Sequence, residues 1–215
     1  MKNKKIEING KSFNKPITCL TAYSGSMAKI LDGIVDIVLI GDSLGMTLYD
    51  MPNTQSVTID MMSLHGSAVI KNINKSLTII DMPYKSYENN LMAYKNAKKL
   101  IKITGADFVK LEVNERNVSL IKYLSQKKIN TVAHIGVTPQ SYKDFKKLKI
   151  AGKTKNESEK LVKLSKKLES FGTKIILLEC IYSNTAKTIV SSTSLPCIGI
   201  GASRFCDGQV LVFDD

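Results

Sequence analysis

Short apolar, β-branched runs recur along the whole chain, at residues 17–20, 34–40, 77–80, 108–111, 131–135, 174–178, 197–200 and 209–213. Several are apolar without alternation, as in VDIVLIG and KIILLEC, which is how strands covered on both faces read. Helix-length segments separate most of them. Residues 57–73 place Ile59, Met62, Val69 and Ile73 largely on a three-to-four-residue spacing, and 88–103 repeat Leu91, Leu100 and Ile103 among Lys. Residues 114–124 open with a capping Asn and an acid, Glu115, suited to a first turn. Residues 158–171 space Leu161, Leu164, Leu168 and Phe171 between Lys and stop at Gly172. Eight strands alternating with helices predict an α/β fold, a (β/α)8 TIM barrel, in one domain over residues 1–215. A doubly wound open sheet is the alternative. The chain stops at Asp214-Asp215, directly after the eighth run, so the helix after strand 8 is expected to be missing. The longest predicted loop, 136–156, reads equally as a flap over a site or a solvated connection.

Composition narrows this picture without redirecting it. A chain of 215 residues with 43% hydrophobic content can bury a sizeable core. No run approaches the length of a membrane-spanning helix. Residues 1–15 are polar and Lys-rich with no apolar segment, so a cytoplasmic protein without a secretory signal is expected. The formal charge is +12, yet Arg stands only at 116 and 204 and the remaining basic residues are Lys, scattered through polar faces. Base readout and forked phosphate contacts favour Arg. The excess therefore reads as a solvated surface, with no specific nucleic-acid partner and no membrane partner. The four Cys form no C-x-x-C pair and no zinc-like cluster with His, so they read as reduced residues.

The informative charges stand where apolar runs end. Run two ends in Gly41-Asp42-Ser43, and run three in Asp81-Met82-Pro83. Run four carries Lys110 and Glu112, run five His134, and run six ends in Glu179. In a parallel barrel these positions converge on the C-terminal face, where active sites are built. Charges at the ends of buried strands must be paired, bound to metal or solvated in a cleft. Carboxylates from neighbouring strands suit a hard divalent cation such as Mg²⁺. Each residue alone also has a plain structural reading: a turn for Asp42 or Asp81, a pair of Glu112 with Lys110, a satisfied core imidazole for His134, a salt bridge for Glu179. The run Gly199-Ile200-Gly201-Ala202-Ser203-Arg204 could approach a ligand or simply form a tight strand exit.

Taken in order, Thr21-Ala22-Tyr23, Gly41-Asp42-Ser43-Leu44-Gly45-Met46, Asp81-Met82-Pro83, Val109-Lys110-Leu111-Glu112, His134-Ile135-Gly136-Val137-Thr138-Pro139-Gln140, Leu178-Glu179-Cys180, Gly199-Ile200-Gly201-Ala202 and Asp207-Gly208-Gln209 resemble the ketopantoate hydroxymethyltransferase family. The resemblance implies a (β/α)8 barrel and transfer of a hydroxymethyl group from 5,10-methylenetetrahydrofolate to 3-methyl-2-oxobutanoate, giving 2-dehydropantoate through a Mg-stabilised enolate. It implies Asp42, Asp81 and Glu112 as metal ligands and Asp42, Ser43, Asp81, Lys110 and His134 as substrate contacts. Glu179 would be the proton acceptor, and a homo-oligomer is expected. The chain departs from the family at Ser24, Val113-Asn114, Lys146-Lys147, Ser203 and Asp214. Alternatives are a related Mg²⁺-dependent lyase of 2-oxo acids, or a truncated, inactive barrel that still binds Mg²⁺ and oxo acid.

Overall fold

The computed structural model describes residues 6–13, 16–144 and 147–214. The elements run β1 (Ile6–Ile8), β2 (Lys11–Phe13), β3 (Ile17–Thr21), α1 (Gly25–Leu31), β4 (Ile37–Ile40), α2 (Leu44–Tyr49), α3 (Ile59–Ile70), β5 (Leu77–Asp81) and α4 (Asn90–Thr104). They continue with β6 (Phe108–Glu112), α5 (Ser119–Gln126), β7 (Thr131–Gly136), α6 (Lys155–Phe171), β8 (Ile175–Glu179), α7 (Ser183–Ser192), β9 (Cys197–Ile200) and β10 (Gly208–Leu211). Parallel strands close in the order β10-β3-β4-β5-β6-β7-β8-β9, so the open-sheet alternative falls. No helix among the described residues is long and apolar enough to cross a membrane.

Strand parity explains both the core and the site. Side chains alternate across a strand. Ile37 and Leu39, Leu77 and Ile79, Phe108, Val132, and Ile175 with Leu177 form one buried cluster inside the barrel. Their neighbours Val38, Ile40, Ile80, Val109, Ala133, Ile135, Ile176 and Leu178 join the cluster between sheet and helices. Both faces are buried, hence the unbroken apolar runs. Continuing the inward rows by two residues reaches Asp81, Lys110, His134 and Glu179, and by two more on β6 reaches Glu112.

The antiparallel hairpin β1–β2 was not expected from its polar, Lys-rich sequence. Its Ile6, Ile8 and Phe13 pack into the barrel-interior cluster and plug the N-terminal end. Helices α1, α2 and α7 were also missed, the first two because they are short. The helix predicted from residue 114 starts at Ser119. Asn114 instead accepts the Arg116 N–H within a turn (2.9 Å). Helix α6 begins at Lys155, earlier than predicted, because Thr154 and Glu157 form a reciprocal capping box. It ends at Gly172 as expected, in the left-handed conformation. Ser24, a departure from the family pattern, caps α1 by accepting the Met27 N–H. Lys146 lies outside the described residues. The loop 136–156 contains a short helical turn, Pro139–Ser141, which carries a residue of the site.

Acids at the opposite, N-terminal end of the strands close the barrel. The Asp36 carboxylate accepts from the Thr18 N–H and hydroxyl, and Asp107 does the same for Thr78. Asp207 accepts the Cys197 N–H through Oδ2, while its carbonyl accepts the Ile17 N–H (both 2.9 Å). The Asp207-Gly208-Gln209 segment thus fastens β10 between β9 and β3. Cys19, Cys197 and Cys206 are buried and Cys180 half-buried.

Candidate active site

The C-terminal ends of the barrel strands enclose a cavity of about 300 Å³, whose lining includes Asp42, Ser43, Asp81, Lys110, Glu112, His134 and Glu179. Every candidate site residue named from the sequence therefore reaches one space. Parallel register sets neighbours side by side: Asp81 opposite Lys110, Glu112 opposite His134, and Gly136 opposite Glu179. Gly136 has φ 106°. A Cβ there would collide with the Glu179 carbonyl oxygen, so glycine alone lets the two strand ends approach.

Lys110 is the one buried lysine or arginine among the described residues. Its Nζ lies 3.1 Å from Asp81 Oδ1 and 3.5 Å from His134 Nδ1. Burial disfavours the ammonium, but the charges of Asp81, Asp42 and Glu112 outweigh it and hold its pKa above the usual lysine value. An ammonium has only donors. His134 must therefore accept at Nδ1 and carry its proton on Nε2, which lies 3.3 Å from Glu179 Oε2. Burial, reinforced by Lys110, lowers the His134 pKa well below its ordinary value, so the ring is neutral.

The acids are held in an unusual state. Burial raises the Asp42 carboxyl to about 7, with the Asp81 charge adding to it. Burial likewise raises Asp81 against the opposing pull of Lys110, and raises Glu112 well above its ordinary value. Glu179 is pushed up to about 7 by burial, opposed by Lys110. Four carboxyls thus share one buried ammonium, and Asp81 Oδ1 makes no aligned hydrogen bond. This oxygen-rich, under-neutralised set fits a hard divalent cation. The side chains do not converge, however: no group of three or more His, Cys, Asp or Glu among the described residues is arranged to hold an ion. Mg²⁺ does not need such a cage, since it commonly takes one or two carboxylates with waters and substrate oxygens.

Sequence reasoning missed the residues that orient this set. Tyr23 is buried, and its hydroxyl meets the Ser43 Oγ at 2.7 Å. Gln140 is buried and bonds both Asp42 and Glu112. Both lay inside segments that carried the family resemblance, but nothing in their types announced a role. The glycines at 199 and 201 serve the strand exit: Gly199 faces the Cys206 side chain closely, and Gly201 has φ 56°.

The sequence profile described as ketopantoate hydroxymethyltransferase matches residues 4–215. The chain belongs to that family. A 3-methyl-2-oxobutanoate hydroxymethyltransferase of Pelagibacter ubique (strain HTCC1062) is 46% identical over 214 residues, covering 99% of this chain and 82% of the relative. One from Anaplasma marginale (strain St. Maries) is 41% identical over 210 residues, covering 98% and 76%. This family member is accordingly an enzyme, a transferase of the hydroxymethyl class. Among solved structures, oxaloacetate acetylhydrolase superposes with TM-score 0.70 at 13% identity, covering 93% of this chain and 76% of that one. A 2,3-dimethylmalate lyase of the PEP mutase/isocitrate lyase superfamily gives 0.69 at 14%, with the same coverage. At such identities these two report the barrel fold alone.

Proposed function

We propose that the cavity binds 3-methyl-2-oxobutanoate and that its enolate takes the one-carbon unit of 5,10-methylenetetrahydrofolate, with water supplying the hydroxyl oxygen, to give 2-dehydropantoate and release tetrahydrofolate. The observation that carries this reading is the gathering of Asp42, Asp81, Lys110, Glu112, His134 and Glu179 around one cavity in a member of this family. Asp42, Asp81 and Glu112 would hold Mg²⁺, with substrate oxygens and water completing its shell. Once bound, the ion supplies Lewis-acid stabilisation of charge developing on the ketone oxygen.

The chain's own residues do the rest. The Lys110 ammonium and the Ser43 hydroxyl hold the substrate carboxylate, with Ser43 fixed by Tyr23. Glu179 accepts the C3 proton; its raised pKa gives it basicity suited to neutral pH while leaving much of it ionised. His134 Nε2 lies 3.3 Å from Glu179 Oε2 without an aligned hydrogen bond to it. The apolar wall of Leu39, Leu177, Ile200, Val210 and Val212 accommodates the branched carbon skeleton and limits water. Location in the cytoplasm and assembly with further copies of the chain belong to the same reading.

The test is Mg²⁺-dependent exchange of the C3 proton of 3-methyl-2-oxobutanoate with deuterium, followed by NMR. Glu179→Gln should slow exchange by about a hundredfold or more. Robust exchange in that variant would remove Glu179 from the role of base. Formation of 2-dehydropantoate only when the folate is added separates the transferase from a carbon–carbon lyase.

A further inference from the structure

The short helical turn Pro139–Ser141 follows β7, and its central residue reaches across three other strand ends. Gln140 Nε2 donates to Asp42 Oδ2 at 2.7 Å and to the Met82 carbonyl at 3.0 Å. Its backbone N–H donates to Glu112 Oε1 at 3.0 Å. Its Oε1 accepts the Tyr87 hydroxyl, which in turn lies 3.4 Å from the Glu112 N–H. Its carbonyl accepts from Gln55 Nε2 at 2.9 Å, which ties the turn to the loop after α2. Gln140 is 4% exposed.

These partners fix the amide's orientation. Nε2 faces a carboxylate and a carbonyl, both pure acceptors, while Oε1 faces a hydroxyl that can donate. A flipped amide would set oxygen against oxygen. Both amide protons are committed, so the side chain cannot rotate without stranding a buried polar group. One oxygen of Asp42 and one of Glu112 are engaged by the same residue, and Gln140 leaves Asp42 Oδ1 and Glu112 Oε2 to other partners. The two acids come from different strand ends, Asp42 just after β4 and Glu112 at the end of β6.

We propose that Gln140 is a positioning residue for the cation site. It holds one oxygen each of Asp42 and Glu112 in place, and Tyr87 keeps its amide in that orientation. The inference rests on the proposed assignment of Asp42 and Glu112 to a divalent cation. Groups that orient metal-ligating side chains contribute roughly ten- to a hundredfold in affinity.

The probe is Mn²⁺ alone, titrated into the full chain by calorimetry and by electron paramagnetic resonance. The variants are Gln140→Met, which keeps length and the backbone N–H to Glu112, and Tyr87→Phe, which leaves Gln140 in place but removes its hydroxyl partner. Gln140→Met should weaken Mn²⁺ binding roughly tenfold or more, and Tyr87→Phe should weaken it severalfold. The metal-free melting temperature of Gln140→Met should fall by only several degrees, the cost of the partners it strands, and kcat at saturating metal should largely recover. Unchanged Mn²⁺ affinity in both variants overturns the proposal. So does weaker binding matched by collapse of the metal-free melt, which would make Gln140 a structural residue only. An unaltered chain that binds no Mn²⁺ sinks the cation reading itself, and the inference with it. Asp42→Asn is the control that separates these failures: it should lose Mn²⁺ binding where the reading holds.

Discussion

At the scale of single residues, the site is governed by competition between burial and charge. Glu179 illustrates it. Burial raises its pKa to about 7, and Lys110 pulls the other way. Below that value the carboxyl holds its proton and cannot accept another; above it the base is free. The expected outcome is a kcat/KM that rises about tenfold per pH unit below an inflection near 7 and then levels. A pH profile of 2-dehydropantoate formation at saturating Mg²⁺ checks this, and a flat profile between pH 5 and 8 would count against Glu179 as base. The types and strand-end places of these residues were legible in the sequence. Their protonation was not, since it depends on how deeply each is buried and which charge lies beside it.

Among the elements, the same residue type does two jobs at the two ends of the strands. Acids preceding strands, such as Asp36, Asp107 and Asp207, accept backbone N–H groups of neighbouring strands and carry the closure of the sheet. Acids ending strands, such as Asp81, face the cavity. Asp207→Ala should therefore lower stability by about 1–3 kcal/mol, by leaving the Cys197 N–H without its partner. Its kcat at low temperature should be retained. Asp81→Asn should do the reverse, losing activity while keeping the urea midpoint. Denaturant melts paired with product assays measure both, and equal effects on both quantities would refute the division of labour. The Asp207-Gly208-Gln209 segment, part of the family resemblance, thus has a closing role that its sequence did not disclose. Long, periodic elements such as α4 and α6 were legible because their apolar spacing survives single-residue ambiguity. The hairpin β1–β2 and the short helices α1 and α2 were not, because three to seven residues hold too little periodicity.

For the whole molecule, the question is whether the chain as it stands binds its ligands. The cavity is enclosed by strands that are all present, and β10 pairs with both β3 and β9. Mg²⁺ with 3-methyl-2-oxobutanoate at a hundredfold excess over Kd should stabilise the chain by about 2.7 kcal/mol. That corresponds to a rise of roughly 5–10 °C in the melting temperature for a domain of this size. A scanning calorimetry trace with no shift would favour an inactive barrel. The surface lysines predict only weak, salt-sensitive association with duplex DNA, measurable by titration across ionic strength. Lys110, marked in the sequence by its place in the fourth apolar run, is the one buried lysine among the described residues.

The sequence by itself determined the eight parallel strands, the α/β class and the set of charged residues at strand ends, and left barrel or open sheet to be decided. It could do so because strand parity and helical periodicity are local properties of a chain. The tertiary structure alone decided which acids share a cavity, that Lys110 is the one buried lysine or arginine among the described residues, that Gln140 bonds two of the acids, and that Tyr23 bonds Ser43. Those relations join residues up to 98 positions apart. They arise only when closure of the sheet brings the strand ends together and burial removes the water that would otherwise screen each charge from the next.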